Sequence, residues 1–492
     1  MAAAPTSPVP PAQPPSAAVP KPASLRKVLA DCPLALLPTE VIQGVSQSSV
    51  SALKRTETAG KVIGTLTVAL VAALYYVTLY PSLPGGDSGE LIVASCSLGL
   101  PHPPGYPLFA MIGWLFTHIP FGSIAWRVNL FSAVCGVIAS AFLYLAIFRV
   151  CLHTHYACAR LDADSETDAK LAKPKEQQVK ADEAHSSISC GFSSPVPWAA
   201  CFATLMFALS PLVWFYSVQA EVFAVNNMFV GVRFPAPNIT TESPFEINCL
   251  CVQVLVAGAV LFWERRSDAI AMMGAFAVGL GFTNQHTLVF YAFPLCAWAL
   301  YNKPSLLAPA TFVKLCFLGL LGLTPYIYLP IVSINGAPLG GWGDQSDFAG
   351  FKKHFLREEY GTFRLFSGNE QKGDQLALAL KMYFFNYSTQ SLHLGWPLAI
   401  AGVFFIASCS KRANGGQFKG WNLLSLLLFM YAHACLTKQT RRSRANRYVF
   451  YMVVFHILSN LPIEQALFFG VHIRFWMQPN AITAIFVGAG TL

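Results

Sequence analysis

Residues 62–80 read VIGTLTVALVAALYYVTLY, and residues 85–107, GGDSGELIVASCSLGLPHPPGYP, follow them closely. The first stretch is long enough to cross a bilayer as a helix. The second places two carboxylates, Asp87 and Glu90, directly after that crossing, at a Gly-Gly pair that lets the backbone turn sharply. An ionised side chain at a membrane is costly, which favours a functional role. The structural alternative is that Asp87 caps a helix and Glu90 is a first-turn acid.

The composition is typical of a polytopic membrane protein. Hydrophobic residues make up 54% of the 492 positions and charged residues only 12%, about half of the roughly 25% in soluble domains. The net charge of +9 is spread over connecting segments, which favours a role in membrane orientation and argues against a nucleic-acid partner. The 13 cysteines are scattered, and the spacing of Cys249 and Cys251 matches no metal or redox motif, so neither a zinc site nor a disulfide framework is predicted.

Basic residues predict the direction of the first crossing. Lys54, Arg55 and Lys61 precede the first apolar run, whereas residues 81–126 contain no lysine or arginine. By the positive-inside rule the N-terminus is cytoplasmic, and the loop with the two carboxylates is lumenal or extracellular. Residues 1–58, rich in Pro, Ala and Ser, are expected to be a disordered cytoplasmic tail without a cleavable signal.

The remaining apolar runs predict an all-α bundle of about ten transmembrane helices within residues 59–492. A short apolar stretch at 107–119 is expected to lie on the lumenal membrane surface as an amphipathic helix. A flexible cytoplasmic linker is expected at 151–196 and a large lumenal loop at 334–391. The other crossings are expected at about 128–149, 198–217, 249–263, 269–283, 286–301, 312–333, 393–409, 421–437 and 479–492.

One basic run conflicts with this charge pattern. Residues 438–447, KQTRRSRANR, fall on the lumenal side by this count. Either the run at 421–437 does not cross the membrane, or these cations are held there to bind something anionic.

Polar and aromatic side chains from separate loops are expected to meet at the lumenal face, as one outward-facing pocket would require. Sugar transfer to a hydroxyl needs a base, for which Asp87 is suited, and cations that stabilise a departing phosphate, for which arginines are suited. Tryptophan and tyrosine side chains there could stack on a sugar, although both also occur ordinarily at membrane interfaces. The residues are Asp87, Glu90, His102, Glu221, His286, Trp342, Asp344, Arg357, Glu358, Glu359, Tyr360, Arg444, Arg474 and Trp476.

Some of these residues have ordinary structural explanations. His286 at a helix end is more often a hydrogen-bonding residue than a catalyst, and Arg357, Glu358 and Glu359 could form a local salt bridge. No metal-ligand cluster is predicted. Two glycosylation sequons, at Asn238 and Asn386, would be usable on the lumenal side.

The motifs together resemble those of the transmembrane protein 260 type of protein O-mannosyltransferases. The resemblance implies a glycosyltransferase C bundle in the endoplasmic reticulum membrane that transfers mannose from dolichyl phosphate mannose to Ser or Thr of secretory-pathway proteins, particularly IPT/TIG domains of plexin-like receptors. The lipid-linked donor is then a substrate, and no cofactor is expected. The matching motifs are GGDSGEL (85–91), LGLPHPPGYPLF (98–109), PFGSIAWRVNL (120–130), AEVFAVNN (220–227), NQHT (284–287), PYIYLPI (325–331), WGDQ (342–345), HFLREEYGTF (354–363) and RFWMQ (474–478).

The resemblance also implies roles for individual residues. An acidic residue of the first lumenal loop is the catalytic base in such enzymes, a position carried here by Asp87, with Glu90 as second candidate. Arg444 resembles a family residue that faces the lumen, which favours the second account of the basic run. Segments 232–252 and 447–460 depart from the family pattern, and the chain ends without the soluble helical-repeat domain typical of the family.

Three functional alternatives stay open at this point. A related transferase could use another polyprenyl-linked sugar, because no residue distinguishes mannose from glucose. A transporter would predict inverted repeats, and the sequence shows no internal repeat. The departures from the family pattern also allow an inactive product of a faulty transcript. The sequence makes no prediction about oligomeric state.

Overall fold

The computed structural model of this chain describes residues 47–170, 191–228, 252–336, 341–359, 375–412 and 462–492. Every regular element within these ranges is a helix, which confirms the predicted all-α class. The α-helices are α1 (Gln47–Val77), α2 (Ser88–Ser97), α3 (Pro107–Thr117), α4 (Ile124–Lys170), α5 (Pro195–Ala208), α6 (Pro211–Ser217), α7 (Val222–Met228), α8 (Val252–Arg265), α9 (Asp268–Phe282), α10 (Val289–Asn302), α11 (Pro309–Gly322), α12 (Tyr328–Ile334), α13 (Phe348–Phe355), α14 (Gln375–Gln390), α15 (Gly395–Arg412), α16 (Ala466–Ile473) and α17 (Met477–Gly490).

Two of the described helices are long and apolar enough to cross a membrane without interruption. They are Ser51–Val77 within α1 and Ile124–His155 within α4, and they correspond to the predicted crossings at 62–80 and 128–149. Three bent pairs raise the number to five if each pair is one crossing. The pairs and their bend angles are Pro195–Ala208 with Pro211–Ser217 (67°), Pro309–Gly322 with Thr324–Ile334 (42°), and Ala377–Gln390 with Gly395–Cys409 (98°).

The expectation of about ten full crossings is not met within the described residues. Helices α8, α10 and α17 have 14 residues each and α9 has 15, whereas a crossing needs about 20. Residues 477–489 of α17 are all buried within the protein. An apolar run that is buried against other helices cannot be told by composition from one that faces lipid. The predicted crossing at 421–437 lies outside the described residues.

Three predicted irregular segments contain helix. Helix α1 begins at Gln47, inside the expected tail, and α4 continues to Lys170, inside the expected linker. Helix α14 occupies Gln375–Gln390 of the expected lumenal loop. The reason is local, because residues 47–59 and 151–170 contain neither proline nor glycine to end a helix. Residues 1–46 and 171–190 lie outside the described ranges.

Helix α4 is the centre of the bundle, and it contacts α1, α5, α7, α8 and α17. Its close approach to α1 depends on two small residues. A Cβ on Gly60 would lie 2.4 Å from the ring of Phe148, and one on Gly64 would lie 2.5 Å from the ring of Tyr144. The Tyr144 hydroxyl also donates a hydrogen bond to the Gly60 carbonyl at 2.9 Å. These contacts fix the first two crossings and thereby the ends of the segment between them.

A helix is present where the sequence predicted one at 107–119, as α3, and its position on the lumenal membrane surface stays a prediction. It begins with Pro107, a residue suited to the first helical turn, and it packs against α2 and α4. Arg127 holds its end, because Nη1 donates to the Thr117 carbonyl at 2.5 Å and Nε donates to the Phe121 carbonyl at 2.9 Å. The segment between the first two crossings is therefore a packed pair of short helices.

Candidate active site after the first crossing

Asp87 lies at the sharp turn that the Gly-Gly pair predicted. Gly86 has a φ of +71°, in the left-handed region that favours glycine, and α2 begins immediately after Asp87. The Asp87 side chain makes no capping hydrogen bond to α2, so the alternative of a simple helix cap is wrong. Its Oδ2 instead accepts a hydrogen bond from Nη1 of Arg474 at 2.6 Å. The side chain is 42% exposed, so the carboxylate is both anchored and accessible.

Arg474 is held on several sides. It lies in the 3-10 turn Arg474–Trp476 that joins α16 to α17, and its guanidinium carbon is 5.7 Å from the ring centres of both Tyr216 and Phe223. The same Nη1 contacts the two carboxylate oxygens of Glu221 at 3.3 and 3.5 Å. Burial lowers the pKa of Arg474, but the charges of Glu221 and Asp87 outweigh this and raise the pKa above its ordinary value.

Glu221 is a buried carboxylate, only 1% exposed. Burial raises its pKa to about 8, because the charge of Arg474 opposes this shift only in part and the charge of Asp87 adds to it. The Glu221 backbone N–H donates to Ser132 Oγ at 3.2 Å, and the N–H of Ala220 donates to Asn129 Oδ1 at 2.8 Å. Two polar residues of α4 thus position the turn that carries Glu221.

Glu90, the second candidate base, is engaged with the loop that follows α2. Its Oε1 accepts the backbone N–H of His102 at 2.5 Å, and its Oε2 is 2.9 Å from Nδ1 of the same histidine. His102 Nε2 is in turn 3.2 Å from the hydroxyl of Tyr106. Because both Glu90 oxygens are engaged with His102, this carboxylate is better placed to hold the 98–106 loop than to take a proton from a substrate.

The loop at 98–106 also joins two distant motifs to the site. The backbone N–H of Trp342 donates to the Leu100 carbonyl at 2.9 Å, and the Tyr328 hydroxyl donates to the Gly99 carbonyl at 2.8 Å. The Trp342 side chain is 40% exposed, with its ring 6.3 Å from that of His102. The structure therefore brings the WGDQ motif beside the PHPPGYP loop.

His286 has the structural role that the sequence left open. The Tyr326 hydroxyl donates to the Phe282 carbonyl at 3.0 Å, so it accepts from His286 Nε2 at 2.7 Å. Burial, with a smaller contribution from the nearby positive charge of Arg357, lowers the His286 pKa to about 4. His286 is thus a neutral hydrogen-bonding residue at physiological pH.

Asp344 stabilises its own loop. Its Oδ1 accepts from the Ser333 hydroxyl at 2.8 Å and from the Ser346 backbone N–H at 2.9 Å. Hydrogen bonds from Ser346, and then from Ser333, lower the pKa of this exposed carboxylate. These contacts tie the WGDQ loop to the end of α12.

The charged residues after α13 separate into two groups. Glu358 pairs with Lys352 at 3.7 Å and Glu359 pairs with Lys353 at 3.0 Å, so the local ion pairs involve lysines of α13. Arg357 has a φ of +53° and adopts the left-handed conformation. Burial raises the pKa of Tyr106, and the charge of Arg357 opposes that shift. Arg357 therefore contributes positive charge to the same region as the carboxylates.

Several expected site residues are elsewhere. Trp476 is 1% exposed, and its ring packs 5.5 Å from Tyr383 and 5.7 Å from Phe469, so the expectation that it stacks on a sugar is wrong. Asn386 is half-buried within α14, where it accepts a hydrogen bond from Gln390. Tyr360, Arg444 and the sequon at Asn238 lie outside the described residues, as do most of segments 232–252 and all of 447–460.

The sequence reasoning missed residues that position the site. Asn129 lies in the WRVNL motif, but nothing local indicates that its amide bridges two loops. His354, in the HFLREE motif, is buried, and its Nδ1 accepts from Gln345 Nε2 at 3.1 Å. Burial lowers the His354 pKa to about 4, so it is neutral. Among the described residues, no group of three His, Cys, Asp or Glu side chains is placed to hold a metal ion.

Comparison with known proteins supports the family suggested by the motifs. Residues 87–307 match the family model described as Protein O-mannosyl-transferase TMEM260 N-terminal domain. The chain is 32% identical over 450 residues to Protein O-mannosyl-transferase tmem260 of Dictyostelium discoideum, and the matched region covers 87% of this chain and 45% of that relative. It is 32% identical over 441 residues to Protein O-mannosyl-transferase TMEM260 of Mus musculus, and that matched region covers 88% of this chain and 50% of the relative.

No solved structure matches the chain. The chain spans about half the length of the curated relatives it matches. The match to the family model begins at Asp87 itself, so both candidate bases, Asp87 and Glu90, lie within its first residues. The resemblance predicted from the motifs is confirmed, and residues 87–307 of this chain match the N-terminal domain of the protein O-mannosyl-transferase TMEM260 family.

Proposed function

We propose that this chain is a protein O-mannosyltransferase of glycosyltransferase C type in the endoplasmic reticulum membrane. Its donor is dolichyl phosphate mannose, and its acceptors are Ser and Thr hydroxyls of secretory-pathway proteins, in particular IPT/TIG domains of plexin-like receptors. The names of the two relatives support mannosyl transfer. The observation that carries the proposal is the accessible carboxylate of Asp87, anchored to Arg474 directly after a membrane crossing.

The proposed reaction is a single in-line displacement. The acceptor hydroxyl oxygen attacks C1 of mannose and forms the new C–O bond, while the bond between C1 and the phosphate oxygen breaks. Asp87 takes the hydroxyl proton, and dolichyl phosphate leaves with the electron pair of the broken bond. The configuration at C1 inverts because attack and departure are on opposite faces. A positioned base of this kind contributes about 10² to 10⁴ to the rate.

The two described arginines of the site take different parts in this proposal. Arg474 is occupied by two carboxylates and two aromatic rings, so its task is to orient Asp87. Arg357 supplies positive charge near Tyr106 and is the described cation that we assign to the donor phosphate. Trp342, exposed beside His102, offers an aromatic face for the sugar.

The test is a transfer assay in microsomes with labelled lipid donors and a purified IPT domain as acceptor. The wild-type chain is expected to transfer mannose from dolichyl phosphate mannose, and Asp87→Asn to lose at least about 100-fold in rate. Asp268→Asn is the matched control, because this aspartate pairs with Lys303 at the start of α9, away from the proposed site. Transfer from dolichyl phosphate glucose alone would identify another polyprenyl-linked donor, and unchanged turnover in Asp87→Asn would contradict the assigned base.

A further inference from the structure

Asp87 depends on other residues for its orientation. It follows a turn with a left-handed glycine, it makes no capping hydrogen bond, and nearly half of its side chain is exposed. An exposed aspartate that follows such a turn has freedom about its side-chain bonds unless a partner holds it. The hydrogen bond from Arg474 Nη1 at 2.6 Å supplies that partner.

Arg474 could hold Asp87 only if its own guanidinium group is fixed. The rings of Tyr216 and Phe223 confine it, and the carboxylate of Glu221 attracts it from the buried side. Nη1 contacts both carboxylates, so its place is set by the attraction of Asp87 and the opposing attraction of Glu221. Removal of the Glu221 charge would let the guanidinium group shift toward Asp87.

One side chain of α4, that of Asn129, holds both the segment that leads to Asp87 and the turn that carries Glu221. Asn129 Nδ2 donates to the carbonyls of Tyr80 and Ser82, at 2.8 and 3.0 Å, on the segment that leads to Asp87. The Oδ1 of the same side chain accepts the N–H of Ala220, which precedes Glu221. A Cβ built on Gly86 would lie 3.7 Å from Glu221 Oε1, which places the two acidic turns side by side.

The burial of Glu221 is expensive for stability. Taking a carboxylate out of water costs several kcal/mol, and a buried ion pair often repays no more than this cost. Its raised pKa is a sign of the same penalty. A role in orienting the site would account for a carboxylate whose burial is costly.

Resting on the function proposed above, we propose that Glu221 is a positioning residue, which acts through Arg474 to aim the carboxylate of Asp87 and does not bind substrate. The chain of contacts runs from Glu221 to Arg474 Nη1 and from there to Asp87 Oδ2. The sequence placed Glu221 among the residues that line the lumenal pocket, and the positioning role differs from direct contact with substrate there.

The first test is a double-mutant cycle on mannosyl transfer with Glu221→Gln, Arg474→Gln and the combined variant, measured above about pH 8, where Glu221 is charged. A small misplacement of a catalytic group can cost up to about 100-fold, so Glu221→Gln is expected to lower kcat about tenfold or more, with the donor KM changed less than twofold. Because both residues act on Asp87 through one contact, the combined variant is expected to be no slower than Arg474→Gln alone. Glu221→Asp, which keeps the charge, is expected to recover part of the kcat lost in Glu221→Gln.

Two results of this cycle would overturn the proposal. One is a combined loss equal to the product of the single losses, which would show independent roles. The other is a raised donor KM with unchanged kcat in Glu221→Gln, which would show substrate binding. Glu57→Gln is the matched control, because Glu57 is a buried acid paired with Lys61 at 3.6 Å near the start of α1. The transfer rate of this control variant is expected to stay at the wild-type value.

The second test does not depend on transfer activity. Amide labelling of Asp87 with a carbodiimide and an amine at the same pH, measured by peptide mass spectrometry, is expected to change at least twofold in Glu221→Gln and to stay unchanged in Glu57→Gln. Unchanged labelling in Glu221→Gln would overturn the positioning role. If the wild-type chain transfers no sugar, the proposed function fails, whereas this labelling still decides whether Glu221 controls Asp87.

Discussion

The carboxylate of Asp87 accepts a hydrogen bond from Nη1 of Arg474 at 2.6 Å, although 387 positions separate the two residues in the sequence. This contact joins the turn after the first crossing to the turn between α16 and α17. Glu221 shares the same nitrogen and adds a third segment of the chain. The proposed base is therefore oriented by the folded bundle, and its local sequence alone could not hold it.

Glu90→Ala should damage the 98–106 loop more than the chemistry. Its loss leaves the His102 backbone N–H and ring without their carboxylate partner, which costs about 1–3 kcal/mol for a hydrogen bond to a charged group. The free energy of unfolding, measured by denaturation in detergent, should fall by that amount. Glu358→Ala removes an exposed ion pair with Lys352 and should change the free energy of unfolding by less than about 1 kcal/mol. A Glu90→Ala protein of normal stability that transfers no mannose would instead favour Glu90 as the base.

Two tryptophans provide a matched comparison of burial and binding. Trp476 is fully packed, so Trp476→Ala should lower the free energy of unfolding by about 3–5 kcal/mol. Trp342 is exposed, and Trp342→Ala should leave stability nearly unchanged while it raises the KM for donor or acceptor. Thermal unfolding and steady-state kinetics on the two variants check this. Equal stability losses would contradict the assigned places of the two rings.

The kcat of mannosyl transfer should fall as the pH is lowered through about 8. The raised pKa of Glu221 means that it is protonated and neutral below this pH and negatively charged above it. Besides burial, the charges of Arg474 and Asp87 act on the pKa of Glu221. Burial raises the pKa of Tyr106 and of Tyr216, and the charge of Glu221 in turn adds to both shifts. Protonation below this pH removes the charge through which Glu221 holds Arg474, and Arg474 then orients Asp87 less well, so kcat should fall while the donor KM changes less than twofold. In Glu221→Gln this step should be absent, and a step that persists there would assign it to another group.

Arg357→Gln should weaken binding of the donor. A charge-assisted hydrogen bond to phosphate contributes about 1.5–3 kcal/mol, which corresponds to roughly 10- to 100-fold in donor KM. Lys352→Gln is the matched control, since this lysine lies on α13 in an exposed ion pair with Glu358. An unchanged donor KM in Arg357→Gln would remove this arginine from the phosphate site.

The location of the site could be predicted from the sequence, because glycines, acids and the absence of basic residues at 81–126 are all local signals. Their pairing could not be predicted, since nothing near Asp87 indicates whether Arg357, Arg444 or Arg474 is its partner. The choice depends on how α16 and α17 pack against α4, which is a property of the whole bundle.

The burial of individual side chains and helices also could not be predicted from the sequence. Trp342 and Trp476 were both expected at the lumenal face, yet one is exposed and the other is enclosed by Tyr383 and Phe469. Helix α17 is apolar enough to resemble a membrane crossing, but its sides are covered by protein. Periodicity identifies a helix, whereas the surroundings of that helix are set by tertiary packing.

The side of the membrane on which Asp87 lies tests the account most directly. Leu83 is exposed in the same connecting segment, so Leu83→Cys can be labelled in microsomes with a membrane-impermeant maleimide and compared with the wild-type chain. Because the outer face of a microsome is cytoplasmic, the account predicts that the introduced cysteine is labelled only after the vesicles are permeabilised. Labelling of intact vesicles at that cysteine would place Asp87 in the cytosol and contradict a lumenal transferase.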